Sequence, residues 1–491
     1  MNQTRRRFMG TAAAGFAGAA FGKALEGAGR SRPNILFVFA DQWRRDAVGI
    51  MGRDPVPTPH IDAFSRQSLL STNAISGCPV CSPFRAALMS GRFPDETGMI
   101  TNCAPNHGQL HLKAEERCIA ECYADAGYQT AYIGKWHLDV PSVNKTPRPN
   151  DGAGGWDTYT PPGPERQGWN WWYAYNTFDE HLKPHYWSNS EKRIEHKGWS
   201  VEHETDVAVD WMKNIRRKDR PFIMTVSWNP PHPPYNLVPD HYKQSCPDSA
   251  AFTKRPNYED LSPESRAYET IKKKMKYFGF ETFPEMAQSY FSAITGVDAQ
   301  FQRLLDALKE EDIGDNTIVV LTSDHGDMMG SHGLIGKTFF YEESVGIPFI
   351  VRWPGQIAAR KDPVLINGWD IMPTLLGLAG LPVPSTVSGA DLSGYMLGKT
   401  PVRPDSTYMR QPTNLKYGAD SGWRAVRTER HTLVSWSGEK EKAELYDLKK
   451  DPYQMNPVSW GGGQDELIEQ LYGKLKDWLV KAKDPAIKHY S

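Results

Sequence analysis

The chain lacks three features that would restrict its function at once. Its 57 Lys and Arg balance 58 Asp and Glu, so a formal net charge of −1 gives no polybasic signature for nucleic-acid binding. Six cysteines in 491 residues do not indicate an extensive disulfide framework. No apolar run is long enough for a stable membrane span. The composition, 39% hydrophobic and 23% charged, is that of a globular chain long enough for more than one domain.

The first 30 residues have the order of parts found in an export signal. Thr4-Arg5-Arg6-Arg7-Phe8-Met9 resembles a twin-arginine motif, and a weakly hydrophobic run rich in Ala and Gly follows from Thr11 to Gly22. Twin-arginine machinery exports proteins that are already folded. We therefore predict that residues 1–30 are a removable signal and that the mature protein is periplasmic or secreted.

Buried strands and amphipathic helices alternate along the rest of the chain. Continuous apolar runs of strand length are found at 34–40, 129–133, 222–227 and 317–322. Such runs are typical of strands covered on both faces of a parallel sheet. Residues 287–308 have the apolar spacing of a long helix between two of them. Strand–helix alternation predicts an α/β fold.

A smaller C-terminal part is predicted beyond residue 400. Residues 422–427 and 444–448 have the pattern of short strands, and residues 465–481 that of a closing amphipathic helix. We therefore divide the chain into the signal at 1–30, a catalytic domain at 31–400 and a C-terminal subdomain at 401–491.

Each apolar run ends in polar, chemically capable residues. They are Asp41-Gln42, Gly134-Lys135-Trp136-His137, Asn229 to Pro234 with His232, and Asp324-His325. Ligands of parallel α/β sheets bind beyond the carboxyl ends of the strands. All four groups are therefore expected to meet at one edge of the sheet.

The most specific segment is Cys81 to Arg92, in which C-x-P-x-R is followed by four residues and then Ser-Gly-Arg. By itself, Cys78-Pro79-Val80-Cys81 is also a C-x-x-C that could form a redox pair or half a zinc site, but no second such pair exists. The longer pattern resembles the signature of the type I sulfatases of the alkaline phosphatase superfamily. That resemblance implies a large, mixed and mostly parallel sheet flanked by helices, with a smaller C-terminal α+β subdomain.

In that family the motif cysteine is oxidised to Cα-formylglycine by a maturation enzyme. The resemblance therefore implies that Cys81 carries the nucleophile as an aldehyde hydrate. One hydroxyl of the hydrate attacks sulfur, and deprotonation of the other releases the sulfate. It also implies one divalent cation, whose ligands by motif are Asp41, Gln42, Cys81, Asp324 and His325.

Calcium is the cation favoured by these oxygen ligands, with magnesium or manganese as alternatives. Many members of the family have Asp at the position of Gln42. The neutral glutamine lowers the negative charge of the site in this chain.

Four further residues match positions around the sulfate in this family. Lys135 would bind a sulfate oxygen, and His137 would be the base that triggers sulfate release. His232 and Lys337 are candidates for protonating the leaving alkoxide. Arg85, inside the signature, would hold the hydrate.

The resemblance thus predicts a sulfuric ester hydrolase acting on a sulfated carbohydrate. A phosphonate monoester or phosphodiester hydrolase of the same superfamily is the alternative, and the Asp-Gln and Asp-His pairs resemble those enzymes. A non-catalytic carbohydrate-binding relative would have lost one of the motif residues, and none is missing. The aromatic segment from Gly168 to Trp187 could stack on sugars or simply pack the fold.

Overall fold

The computed structural model describes residues 32–145, 155–259, 268–436 and 438–490. The predicted export signal at 1–30 lies outside the described residues. Within them, no helix has the length and apolar character needed to cross a membrane.

The fold is an α/β fold built on an eight-stranded sheet, which confirms the predicted fold class. The strands of the chain are β1 Asn34–Ala40, β2 Leu69–Ile75, β3 Gln129–Lys135, β4 Trp171–Tyr175, β5 His185–Tyr186, β6 Ile194–Glu195, β7 Phe222–Trp228, β8 Thr317–Ser323, β9 Phe349–Arg352, β10 Arg360–Asn367, β11 Ser406–Arg410, β12 Arg424–Thr428, β13 His431–Ser435 and β14 Glu444–Asp447. The large sheet has the order β10-β2-β9-β8-β1-β7-β3-β4. Only β9 runs antiparallel to its two neighbours, so the sheet is mixed and mostly parallel.

Helices cover both faces of this sheet. They are α1 Pro59–Ser65, α2 Cys81–Ser90, α3 Pro94–Thr97, α4 Ile119–Asp125, α5 Ser200–Asp210, α6 Asp240–Gln244, α7 Tyr268–Phe278, α8 Phe283–Glu310, α9 Glu342–Val345, α10 Gly368–Leu378, α11 Ser393–Met396 and α12 Asp465–Lys481. Strand β1 has a continuous apolar run because both of its faces are buried. Leu36 and Val38 belong to the core shared with α8, whereas Ile35 and Phe37 belong to the core shared with α2 and α10.

The C-terminal strands form a second, antiparallel sheet of four strands in the order β11-β12-β13-β14. Its Leu433 packs in one cluster with Leu475 of α12, and that cluster includes Trp369 of α10. On its other face, Met409 and Trp423 pack with Ile75 of β2 and with Phe340 and Val345, which lie between β8 and β9. The small sheet therefore shares apolar cores with the large part of the molecule, and the division at residue 400 stays a prediction.

The aromatic segment from Gly168 to Trp187 forms edge strand β4 and the short β5. Trp169, Trp172, Tyr175, Tyr186 and Trp187 are buried. Tyr132 of β3 stacks on Trp172 with ring centroids 5.3 Å apart. The structure therefore favours packing for most of these rings.

Candidate active site

Polar residues from four neighbouring strands meet at one edge of the large sheet. Strands β3, β7, β1 and β8 are adjacent and parallel, with Ala40 paired to both Trp228 and Ser323. Because the four strands end at the same level, the residues that follow them lie side by side. The order of the strands therefore brings these residues together, as the sequence predicted.

Cys81 is the first residue of α2 and lies at the centre of this edge, fully buried. Its Sγ atom occupies the place where an oxygen of formylglycine would be. Nζ of Lys337 donates to Sγ at 3.1 Å, and Nε2 of His325 lies 3.5 Å away. Burial and Asp41 raise the pKa of Cys81, but Lys337 and Lys135 outweigh them and hold that pKa well below its usual range. The surroundings therefore stabilise negative charge at this position, as does the N-terminus of α2.

Four of the five predicted metal ligands form one buried cluster. Asp41, Cys81, Asp324 and His325 have ligand atoms that all lie within 4.8 Å of one another. Nε2 of His325 is 3.6 Å from Oδ1 of Asp41 and 3.4 Å from Oδ1 of Asp324. Burial and the charge of Asp41 raise the pKa of Asp324 to about 6. Adjacent buried carboxylates of this kind call for a cation.

Gln42, the fifth predicted ligand, directly follows Asp41, and its backbone N–H donates to Oδ1 of Asp324 at 3.0 Å. Its Oε1 atom is buried and has no hydrogen-bond partner among the described residues. A divalent cation would satisfy this oxygen. The donor set, mostly oxygen with one imidazole, therefore fits the cation predicted from the sequence.

Two cations stabilise Asp41 from the side of the sheet. Nζ of Lys135 is 2.8 Å from Oδ2 of Asp41 and donates to Oδ1 of Asn229 at 2.9 Å. Nη2 of Arg85 donates to Oδ2 of Asp41 at 3.1 Å, and its Nε lies 3.3 Å from Oδ2 of Asp324. Although burial alone would raise it, Lys135, His232, Lys337 and Arg85 together hold the pKa of Asp41 well below its usual value.

Arg85 contacts the two ligand carboxylates directly, and its predicted hold on the hydrate stays a prediction. Its Nη1 donates to the carbonyl of Lys135 and to Oγ of Ser227, and its other nitrogens face the two carboxylates. The guanidinium therefore holds Asp41 and Asp324 in place, and within the described chain none of these hydrogen bonds goes to Cys81.

The two predicted histidines flank the cluster. His137 has φ 54°, and its Nε2 contacts the carbonyl of Cys103 at 3.1 Å. Burial lowers the pKa of His137, and the neighbouring Cys81 offsets this only in part, which favours the neutral base. His232 is partly exposed at the mouth of the site, with Nδ1 3.4 Å from Oδ1 of Asp179.

Sequence reasoning missed the residues that support this cluster. Asn229 accepts from Lys135 and donates to Oδ1 of Asp179 at 3.0 Å, which links His232 to the metal side of the site. Ser227 accepts from Arg85, and Asp327 accepts from the Gln42 amide. Their position in the chain could have indicated this role. Asn229 and Asp327 belong to the polar segments that follow β7 and β8, and Ser227 lies near the end of β7.

Comparison with known proteins agrees with this geometry. The family model described as Sulfatase matches residues 33–381. This chain belongs to the sulfatase family. A second model, described as N-sulphoglucosamine sulphohydrolase, C-terminal, matches residues 330–481 of the sulfatase.

Its relatives include sulfatases that align over nearly their whole length. An endo-4-O-sulfatase of Bacteroides thetaiotaomicron is 36% identical over 92% of this chain and 93% of its own. An ulvan-active sulfatase of Formosa agariphila is 31% identical over 94% of this chain and 85% of its own. A solved structure from work on the metabolism of multiple glycosaminoglycans by Bacteroides thetaiotaomicron has a TM-score of 0.82, 35% identity, and covers 93% of this chain and 98% of that chain. The protein is therefore a sulfuric ester hydrolase.

Proposed function

We propose that this sulfatase removes sulfate from a sulfated carbohydrate, with Cys81 as the formylglycine residue. The observation that carries the proposal is the convergence of Asp41, Asp324, His325 and Lys337 on the Sγ atom of Cys81. The carbohydrate class is supported by relatives that are named for activity on ulvan and for glycosaminoglycan metabolism.

Formylglycine at position 81, as its hydrate, would supply one hydroxyl for attack on sulfur and a second for sulfate release. A divalent cation held by Asp41, Gln42, Asp324, His325 and residue 81 would neutralise sulfate charge and acidify the attacking hydroxyl. Calcium is the cation that we propose, since carboxylate and amide oxygens dominate the donor set.

The chain's own charges bind and orient the sulfate ester. Lys337 contacts Sγ of Cys81 at 3.1 Å, and Lys135 lies beside the neighbouring Asp41. Nζ of Lys135 is 2.8 Å from Oδ2 of Asp41, and we assign this lysine to binding a sulfate oxygen. Arg85 holds Asp41 and Asp324 rigid, which keeps the ligand carboxylates aimed at the same point.

Proton transfer is divided between two places in the site. His137 is buried and its pKa is lowered, so it is neutral and able to take the proton that triggers sulfate release. In the unmodified chain, Cys81, Asp41 and Asp324 outweigh burial and raise the pKa of Lys337. The two carboxylates remain once Cys81 is converted, and they favour a protonated Lys337 beside the reacting bond. Lys337 and the partly exposed His232 are therefore the donors to the leaving alkoxide.

We also propose how the protein reaches its active form. A formylglycine-generating enzyme oxidises Cys81 in the unfolded chain, since the residue is only 1% exposed in the folded one. The twin-arginine machinery then exports the folded enzyme, which acts in the periplasm or outside the cell.

The test is release of inorganic sulfate from a panel of sulfated oligosaccharides. The protein should come from a host with a formylglycine-generating enzyme, and peptide mass should confirm the aldehyde at position 81. Sulfate release from at least one sulfated sugar, with a matching desulfated product, is the expected result. Hydrolysis of phosphonate monoesters without sulfate release from any sulfated sugar would instead support the alternative hydrolase.

A further inference from the structure

Asp327 is fully buried and contacts the proposed metal ligand Gln42. No step of the proposed chemistry uses its carboxylate. It is the third residue after Asp324 at the end of β8. Oδ2 of Asp327 accepts from Nε2 of Gln42 at 2.5 Å and from the hydroxyl of Tyr235 at 2.7 Å. The same Nε2 atom also donates to the hydroxyl of Tyr235 at 3.3 Å.

This contact decides which end of the Gln42 amide faces away from Asp327. A glutamine amide has a donor end and an acceptor end of nearly equal shape, so only its hydrogen bonds fix the orientation. Oδ2 of Asp327 accepts from the Tyr235 hydroxyl and from the amide, so the end of the amide that faces it is the donor Nε2. Oε1 of Gln42 is left at the opposite end, buried and without a donor among the described residues. An unsatisfied buried acceptor costs about 1–3 kcal/mol, which a bound cation would relieve.

The second oxygen of Asp327 holds the segment that carries Lys337. Oδ1 accepts from the backbone N–H of Met329 at 2.8 Å and from that of Gly336 at 3.0 Å. The backbone N–H of Met328 in turn donates to the carbonyl of Gly336 at 2.8 Å. One carboxylate thus bridges Gln42 on one side and the residue before Lys337 on the other.

We propose that Asp327 is a positioning residue that orients the Gln42 amide, so that Oε1 and not Nε2 is presented to the divalent cation. The inference rests on the metal site of the proposed function. An aspartate has two oxygens and could bind the cation with either of them, whereas a glutamine must present its one oxygen. The hydrogen bond to Asp327 explains how Gln42 does so. Residues that orient metal ligands typically change metal affinity ~10- to 100-fold when they are altered.

The decisive variant is Asp327→Asn, which keeps the shape of the side chain. The asparagine oxygen can still accept from Met329 and Gly336, so its NH₂ group is left facing Nε2 of Gln42. Two donors then oppose each other, and the Gln42 amide turns over and presents NH₂ to the cation. Calcium binding to the chelator-stripped protein, measured by isothermal titration calorimetry, is expected to weaken ~10- to 100-fold.

Two double variants separate orientation from charge. In D327N/Q42E the new amide at position 327 donates to the new carboxylate at position 42, whose other oxygen stays free for the cation. Calcium affinity is therefore expected to return. D327N/K274M restores the same net charge without an acceptor for Nε2. Lys274 is a matched choice, since it acts electrostatically on Asp327 and Lys337. We expect this variant to stay as weak as D327N.

Calcium affinity unchanged in D327N, or restored equally by K274M, would overturn the proposal. If D327N does not fold, Gln42→Leu decides, because it removes both ends of the amide. A folded Q42L with unchanged calcium affinity overturns the proposal, and a ~10- to 100-fold loss supports it. The readout is calcium binding alone, so a failure of this inference is distinct from a failure to release sulfate from any sulfated sugar.

Discussion

At the scale of single residues, the charges around Cys81 define what this position can do. Lys337 contacts its Sγ atom, Lys135 contacts the neighbouring Asp41, and Asp41 and Asp324 form with it a buried cluster that would hold a cation. These groups suit an oxygen ligand better than a thiol. A hydroxyl of formylglycine beside a cation would be acidified and could act as the nucleophile. Cys81 and the lysine that contacts it are therefore the residues whose replacement should affect turnover most.

Cys81→Ala is expected to lower kcat/KM for an aryl sulfate by at least about 10⁴-fold, because it removes the nucleophile. The fold should persist, since alanine fits a position at the start of α2. Initial rates and circular dichroism on the same preparation check both expectations. Cys246→Ala is the matched control, because that half-buried thiol contacts Thr295 of α8 and is not among the proposed site residues, so the variant should keep wild-type activity. Wild-type turnover by C81A would exclude the proposed nucleophile.

Lys337→Ala is expected to slow substrates with poor leaving groups more than those with good ones, by about 10²–10⁴-fold for the poorest. The reason is that a leaving alkoxide of high pKa depends on a proton donor and a phenolate of low pKa does not. A series of aryl sulfates with graded leaving-group pKa checks this, with the exposed Lys309→Ala as control. Equal loss across the series would assign Lys337 to anion binding alone.

Part of the site could be predicted residue by residue, and part could not. The charged groups could be named, since each stands in a family motif and several of them follow an apolar run. The supporting contacts could not, because Arg85 and Asp324 are distant in sequence and meet only through the sheet. Asp327 was visible in its motif, but its hold on Gln42 depends on side-chain geometry that no spacing encodes.

At the scale of elements, parallel strands with apolar runs were the reliable prediction. β1 was predicted with the bounds that it has, and α12 likewise at 465–481. Strand β9 was not predicted, since a four-residue run does not show that it enters the sheet antiparallel. Strand order also stayed open, because pairing between distant segments is set by packing.

The start of α10 connects the two sheets and is expected to be sensitive to mutation. The Asn367 side chain accepts from the backbone N–H groups of Gly368 at 2.7 Å and Gly77 at 2.9 Å, and donates to the carbonyl of Tyr408 in β11. Asn367→Ala removes a helix cap and leaves buried groups unpaired, so unfolding free energy should fall by about 1–3 kcal/mol.

Urea unfolding followed by tryptophan fluorescence measures that change. Asn214→Ala is the control, because the Asn214 amide donates to the exposed Asp210 and its loss should shift stability by less than about 0.5 kcal/mol. A loss in N367A no larger than in N214A would contradict the connecting role of Asn367.

At the scale of the whole molecule, the C-terminal sheet and the large sheet are joined by buried charge as well as by apolar packing. Glu342 binds Arg427 of β12 at 2.9 Å and Arg45, after β1, at 2.7 Å. These arginines hold the pKa of Glu342 at about 2, despite burial. Breaking such a buried pair by removing one partner costs about 3–5 kcal/mol.

We therefore expect the two sheets to unfold together. Thermal unfolding by calorimetry should give a single transition, and chelation of the cation should lower its midpoint, since ligand binding stabilises the folded state. Restoring calcium should restore the midpoint. Two separated transitions, with calcium acting on only one, would show that residues 401–491 form an independent unit.

The proposed function is tested most directly by comparing kcat/KM for an aryl sulfate and for the matching aryl phosphonate monoester. The comparison requires protein in which the aldehyde at position 81 is confirmed by peptide mass. A strong preference for the sulfate is expected, because the charges around Cys81 are assigned to a sulfate ester. A preference for the phosphonate would contradict that assignment and make Gln42 and His325 the residues to explain.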